Sequence, residues 1–238
     1  FRIFSAIHCI PQYLFIHLFF FNMGGVGRLS ALLLIFIVSI SGCICWSSEP
    51  SPPVPVSKVD ELAASITPDP STYPKVEDIV DQGDDALPGL YALLDDEDMY
   101  KRTAAAYALS RIVFESGEGQ QGRIHSRLRK SFNDPEPSVS ATAAGVSIAL
   151  GDKSGIPYLI RHLATEETLL LIDPPETVNA YSIRVLKSFT GQDFGYDPNG
   201  SRASRAEAIG KWVKWWADNK DSLEWDLNKG EYGGYTER

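Results

Sequence analysis

The chain has 238 residues, of which 44% are hydrophobic, 22% charged and 11% aromatic. This composition is typical of a globular protein and excludes wholly disordered and collagen-like chains. Residues 1–42 contain two arginines and no acid, so the remainder carries 20 Lys and Arg against 31 Asp and Glu, a net charge of −11. Because nucleic-acid phosphates are bound by clustered cations, this acidity argues against nucleic acid as a partner.

Residues 23–42 are predicted to form a signal peptide. Met23 is followed by Arg28, an apolar stretch over 31–40, and small residues. This is the order of a secretory signal, and its apolar core is shorter than the roughly 20 residues of a membrane span. Because Met23 begins a complete signal, we interpret residues 1–22 as an upstream extension before the true start. A hydrophobic hairpin with the signal is the alternative.

The signal ends in a motif that resembles the lipobox of bacterial lipoproteins: Ile40, Ser41, Gly42 and Cys43. The resemblance implies acylation of Cys43, which anchors the chain to membrane lipid. Cys45 is the rival, but bulky Ile44 precedes it where the motif requires a small residue. An uncleaved apolar anchor is the alternative. Both interpretations predict an anchored protein on the exported side of the bacterial cell envelope, periplasmic or at the surface.

Residues 43–73 are predicted to be a lipidated cysteine followed by a proline-rich linker. Seven of the fifteen prolines lie between residues 47 and 74. Proline at this density favours extended polyproline II structure. One short helix is predicted inside the linker, because apolar residues recur there at helical spacing: Val59, Leu62, Ala63 and Ile66.

Residues 74–220 are predicted to form an all-α domain. Apolar residues recur at helical spacing in successive stretches separated by Pro, Gly and Asp, and no stretch between them alternates as a strand does. The clearest stripes are Leu87, Leu90, Tyr91 and Leu94; Ala104, Ala105, Ala108, Leu109 and Ile112; Ile156, Leu159, Ile160 and Leu163; and Val178, Tyr181, Val185 and Phe189.

Residues 85–109, DALPGLYALLDDEDMYKRTAAAYAL, resemble a HEAT or HEAT-like (PBS-lyase-type) repeat. Leu87-Pro88 opens the first helix and Arg102 lies at the start of the second. The pattern returns 38 residues later and again at Ile156-Pro157, where an insertion displaces the second helix to 175–189. The resemblance implies a short α-solenoid of three to four helical hairpins.

The resemblance also implies an ion pair. In the family, a turn Asp commonly pairs with an Arg six residues later and bridges successive repeats. Asp96 and Arg102 have this spacing, whereas Asp134 is followed by Ser140. We therefore expect one such pair and no continuous ladder.

Residues 190–216 resemble a tail segment at the end of some bacterial HEAT-like proteins, for which we infer no activity. Ser204 and Glu207 predict a capping box that starts a Trp-rich helix. The apolar stripe of this helix consists of Ile209, Trp212, Val213 and Trp216. We expect this stripe to pack on the open end of the solenoid, so that the helix caps it. Trp215 lies off the stripe, so it either packs under the 194–198 loop or is exposed as a partner anchor. Residues 221–238 are interpreted as a tail.

The sequence contains no nucleophile elbow, zinc-protease or P-loop motif. The acidic run at 95–98 is explained by helix capping, and we expect neither metal nor cofactor. The prediction is a non-enzymatic scaffold for a protein partner, with Trp215 and Tyr100 as candidate contacts. The alternatives are a small-ligand or metal carrier that uses the Trp-rich module, and a phycobilin-lyase-like enzyme as the repeat resemblance implies.

Overall fold

The computed structural model of the chain describes residues 56–67, 69–172 and 174–233. The predicted signal, Cys43 and the start of the linker lie outside this part. The described chain is mostly helical, with a single two-stranded sheet. Its helices are α1 Val56–Ala64, α2 Pro74–Val80, α3 Leu87–Leu93, α4 Met99–Ile112, α5 Glu118–Leu128, α6 Pro137–Ala149, α7 Ile156–His162, α8 Val178–Thr190 and α9 Arg202–Asn219. Its strands are β1 Glu224–Asp226 and β2 Glu231–Gly233, and short 3-10 turns occupy Pro70–Thr72, Gly83–Ala86, Arg129–Asn133 and Lys153–Gly155.

Several helices begin where the sequence supplies a cap or a proline. Proline lies in the first turn of α2, α3, α6 and α7, where its missing N–H costs no hydrogen bond. The Asp98 side chain caps α4 and the Glu136 side chain caps α6. Helix α9 begins earlier than predicted, because Ser201 Oγ accepts from the Ser204 N–H (3.1 Å) and so caps the helix in place of Ser204.

Helix α6 lies at the centre of the core, packed against α4, α5, α7 and α8. Small residues allow the close approach. A Cβ added at Gly145 would lie 2.2 Å from Tyr181 Oη on α8, and one at Gly155, just before α7, would lie 2.4 Å from the Ala144 carbonyl oxygen. Helices α4, α6 and α8 therefore pack side by side in chain order.

The folded body begins inside the segment interpreted as a linker. Helix α1 matches the short helix predicted there, and Val59, Ala63 and Ile66 are buried in the same core as Leu90. The structure thus places residues 56–66 in the body and not in an extended stalk.

Residues 221–233 also belong to the body. Strands β1 and β2 form an antiparallel hairpin in which Trp225 faces Tyr232 across the sheet, and β2 packs against α8. Leu223 and Tyr232 are buried, and the Trp225 ring covers Gly151, where an added Cβ would lie 2.9 Å from Trp225 Cγ. The mostly helical chain agrees with the all-α prediction, and the small sheet shows that residues 221–233 of the segment interpreted as a tail pack on the helices.

Near the insertion expected around Glu166 to Asp173, an isolated β-bridge joins Thr168 and Thr177. Leu169 and Leu171 of this segment are buried in the core. Helix α8 then runs from Val178 to Thr190, close to the predicted 175–189. Across the part of the chain that the structure describes, no helix has both the length and the apolarity required to cross a membrane.

Candidate functional site

Arg102 lies in the first turn of α4 and reaches two different turns. Its Nη1 donates to the backbone oxygens of Asp96 (3.0 Å) and Glu97 (2.9 Å). Its Nε and Nη2 donate to the two carboxylate oxygens of Asp134, at 2.9 and 3.1 Å. Both side chains are largely buried, with 12% of Arg102 and 9% of Asp134 exposed. Arg102 therefore joins the turn before α4 to the turn before α6.

The carboxylate of Asp96 has other partners than the predicted one. It accepts from the Asp98 N–H (2.8 Å) and from Lys101 Nζ (3.2 Å), and Lys101 also pairs with Asp60 of α1 (3.0 Å). The hydrogen bond from the Asp98 backbone is the main reason that the pKa of Asp96 is lowered. The expected Asp96–Arg102 side-chain pair is thus replaced by Asp134–Arg102, because the long guanidinium reaches past its own turn.

A second bridge runs beside the first. Arg127 of α5 donates through Nη2 to the Asp95 carboxylate and to the Tyr91 carbonyl oxygen (2.6 Å). Asp95 and Arg127 are 32 residues apart, and so are Arg102 and Asp134. The two bridges connect the α3–α4 pair of helices with the α5–α6 pair.

Ser140 of α6 takes the place that Arg102 has in α4. Its Oγ donates to the Phe132 carbonyl oxygen (2.7 Å), which also accepts from Arg161 Nη2 (3.2 Å). His162 Nε2 lies 2.8 Å from the same Oγ. Since the hydroxyl proton goes to the carbonyl, Nε2 is assigned as the protonated nitrogen. Burial, aided by neighbouring Arg161, lowers the pKa of His162 to about 4, so the ring is neutral at neutral pH.

Trp215 is a core residue and not an exposed partner anchor. Only 9% of it is exposed, and its ring centroid lies 5.6 Å from that of Trp212 and 6.4 Å from that of Phe194. The buried face of α9 consists of Ala208, Trp212, Trp215 and Asn219. Val213 of the predicted stripe is 53% exposed, whereas Phe194 of the 194–198 loop packs against both Trp212 and Trp215. Of the two alternatives for Trp215, the structure therefore favours packing under that loop.

Tyr100, the other predicted contact, lies half-buried in the first turn of α4, where its backbone N–H donates to Asp98 Oδ1 (2.8 Å). The 194–198 loop is tied inward by Tyr196, whose hydroxyl donates to the Leu163 carbonyl oxygen. Asp193 and Asp197 each accept a backbone N–H two residues later. Among the described residues, no three His, Cys, Asp or Glu side chains are grouped to hold a metal ion.

A shallow groove lies between α3 and α5. We call it the α5 groove and define it by Tyr91, Gly119, Gly122, Arg123, Arg127 and Lys130. A second depression, which adjoins it at Arg127 and Lys130, extends toward Asp95 and Asp134. The groove thus lies beside the two bridges, and most of its side chains come from one helix and the turn after it.

The α5 groove is electropositive on an acidic protein. Residues 119–133 contain four Lys and Arg and no acid, although the whole chain carries 31 acids against 22 Lys and Arg. Arg123 donates to Gln120 Oε1 (3.1 Å). Within the part of the chain that is described, neither Arg123 nor Lys130 has a carboxylate within 4.0 Å. This acid-free run is the sequence signal that points to the groove, and motif-based reasoning missed it.

Two donors at the base of the groove lack acceptors. The Tyr91 hydroxyl and Arg127 Nε are buried, and neither has a hydrogen-bond partner among the described residues. Burial raises the pKa of Tyr91, so its hydroxyl keeps its proton and remains a donor. A site with unpaired cations and unused donors is suited to an oxygen-rich anion. No protein-family model and no curated protein matches this chain.

Proposed function

We propose that the chain is a membrane-anchored lipoprotein of the bacterial cell envelope whose helical body is a non-enzymatic scaffold for a protein partner. In this proposal an acyl chain on Cys43 supplies the anchor. The body is a short α-solenoid of HEAT-like hairpins, closed at its end by the Trp-rich helix α9.

The observation that carries the proposal is a turn that recurs with the same hydrogen bonds. Asp96 accepts the backbone N–H of Asp98, and Asp134 accepts that of Glu136, each at 2.8 Å. Asp98 and Glu136 then cap the helices that follow. A repeated turn, joined across 32 residues by the Arg102 bridge, is typical of stacked helical units.

The packing and the charge of the body agree with this interpretation. Helices α4, α6 and α8 pack in chain order, as the second helices of stacked hairpins do. The net charge of −11 beyond residue 42 repels anionic lipid headgroups. A scaffold of this kind is held near the membrane by its anchor, and its surface stays available to a partner.

The anchor is tested by growing bacteria that express the full chain with an alkyne-labelled fatty acid. We expect the protein to take up label, Cys43→Ala to abolish it, and the matched Cys45→Ala variant to retain it. If Cys43→Ala retains the label and Cys45→Ala loses it, the acylated residue is Cys45 and not Cys43. Absence of label from the unaltered chain would overturn the lipoprotein proposal.

The scaffold is tested by purifying the full chain from detergent-solubilised envelopes after brief cross-linking. We expect one protein in near-stoichiometric amount, cross-linked to the helical body, and less of it with Cys43→Ala. If native mass spectrometry finds only a bound small molecule or metal ion, the scaffold proposal fails and the carrier alternative replaces it.

A further inference from the structure

We propose that the α5 groove binds an extended acidic segment of the protein partner, with Arg123 and Lys130 each taking one carboxylate. This inference rests on the proposed scaffold function and deepens it, because it states where the partner binds and by what chemistry.

The spacing of the two cations sets the spacing of the acids. Arg123 and Lys130 are seven residues apart along α5 and the turn that follows it. With a rise of about 1.5 Å per residue, their backbones are roughly 10 Å apart along the helix. A peptide in the polyproline II conformation rises about 3.1 Å per residue and makes one turn every three residues. Acids three positions apart therefore lie on the same side of the peptide, about 9 Å apart, and match this separation. Arg127 lies between the two cations and is held by Asp95 and the Tyr91 carbonyl.

The floor of the groove leaves room for a peptide backbone. A Cβ added at Gly119 or at Gly122 would meet nothing within 4 Å, so the space above both glycines is open. The absence of side chains there lets a bound peptide backbone come close to α5 on the N-terminal side of Arg123. The Tyr91 hydroxyl and Arg127 Nε are buried beside the groove without acceptors, so their N–H and O–H dipoles are not offset by a local acceptor.

The charge of the body favours a short acidic segment over larger anions. A membrane surface or a nucleic acid presents many negative charges at once, and the surrounding acidic body repels them. A segment with a few carboxylates places its charge inside the groove, where the two cations have no competing ion pair among the described residues. Charge complementarity therefore favours a short acidic peptide over a membrane surface or a nucleic acid.

The test uses the full chain in detergent and a fluorescein-labelled peptide with Glu at every third position in a Glu-Gly-Ser repeat. We expect saturable binding by fluorescence anisotropy that weakens as salt is raised. The same peptide with Gln for Glu should bind at least about tenfold more weakly, since it loses the charge-assisted hydrogen bonds. A peptide with its Glu residues contiguous should also bind more weakly, because its acids no longer match the cations.

Two variants and one matched control locate the site. Arg123→Gln with Lys130→Gln should weaken peptide binding about tenfold. Gly122→Leu fills the floor without changing charge, and it should weaken binding to a similar extent. The control, Lys58→Gln with Arg202→Gln, removes the same charge from two exposed positions outside the groove and should change binding less than about twofold. Equal weakening in the control would mean non-specific charge attraction and would overturn the inference.

The remaining outcomes separate this inference from the proposed function. If anionic phosphatidylglycerol vesicles or DNA compete for the groove better than the peptide, the partner class is wrong. If Arg123→Gln with Lys130→Gln still retains the envelope partner in full amount, the scaffold stands and the groove is not its docking site. If the unaltered chain retains no envelope protein at all, the scaffold itself fails, whatever the peptide does.

Discussion

Arg102 and Ser140 are each the fourth residue of their helix, α4 and α6, and each follows the same kind of capped turn. Arg102 reaches its own turn and the next one, so a single charged side chain makes the bridge. Ser140 is short and reaches only the Phe132 carbonyl, so Arg161 and His162 of α7 complete its network. A short neutral side chain such as Ser140 can therefore replace the arginine only where the neighbouring helix, here α7, packs close to α6.

The largest effect is expected from separating α6 and α7. In Gly155→Ala the new Cβ would lie 2.4 Å from the Ala144 carbonyl oxygen, which is backbone and cannot turn aside. We expect a loss of about 3 to 4 kcal/mol in the free energy of unfolding, measured by urea denaturation.

The matched control is Gly210→Ala in α9, where an added Cβ meets nothing within 4 Å. It should stabilise the protein by about 0.5 to 1 kcal/mol through helix propensity. If Gly155→Ala is as mild as the control, the close approach is not what holds the Ser140 network together.

The ionic bridge is broken by Arg102→Met, which leaves the Asp134 carboxylate largely buried without its guanidinium. We expect a loss of about 3 kcal/mol. Arg111→Met removes an arginine whose ion pair with Glu77 is about half exposed, and it should cost less than about 1 kcal/mol. Similar losses in the two variants would show that burial does not distinguish these bridges.

Acid should weaken the hydrogen-bond network of Ser140 and His162. The pKa of His162 is lowered from 6.5 to about 4 in the folded protein, so between these values the unfolded chain binds a proton that the folded chain does not. Stability therefore falls as pH drops from about 6.5 to 4, by about 2 to 3 kcal/mol in total, and is fully present above that window.

The measurement is a series of urea titrations across that pH range on the unaltered protein, His162→Gln and His125→Gln. His162→Gln should lose this part of the pH dependence, whereas His125→Gln removes the other histidine of the described chain and should keep it. If the free energy of unfolding of His162→Gln still falls between pH 6.5 and 4, the acid sensitivity comes from other groups.

The smallest effect is expected from Ser140→Ala. It leaves His162 Nε2–H without its acceptor, but the Phe132 carbonyl keeps Arg161, so the loss should be about 1 to 2 kcal/mol. In the Gly155→Ala background the same change should cost less, because the contact is already stretched. A double-mutant cycle measures this coupling.

The positions of the helices could be predicted from the sequence, because their buried faces follow the apolar spacing. Leu87, Leu90 and Leu94 are buried as the first stripe requires. Periodicity failed in α9, where both Trp212 and Trp215 are buried, since a loop from outside the helix covers the second ring. A helical stripe describes one face, and it holds no information about a loop that folds over another.

The side-chain contacts between segments distant in sequence could not be predicted. The spacing of Asp96 and Arg102 describes neighbours in sequence, but a flexible arginine selects its acceptor in space, and Asp134 is brought to it by the packing of α4 against α6. The α5 groove was missed for a related reason. Its cations are visible in residues 119–133, but their lack of carboxylate partners within the described chain appears only once the helices are packed.

The C-terminal hairpin sets the order in which the body can be completed. Lys153 Nζ donates to the Leu223 carbonyl (3.0 Å) across 70 residues of chain, and Trp225 covers the Gly151 turn. During synthesis the α6–α7 turn therefore stays uncovered until the hairpin of β1 and β2 has been made. Such long-range closure slows folding. A nascent chain that stops short of the hairpin exposes apolar surface, which makes it a substrate for chaperones and proteases.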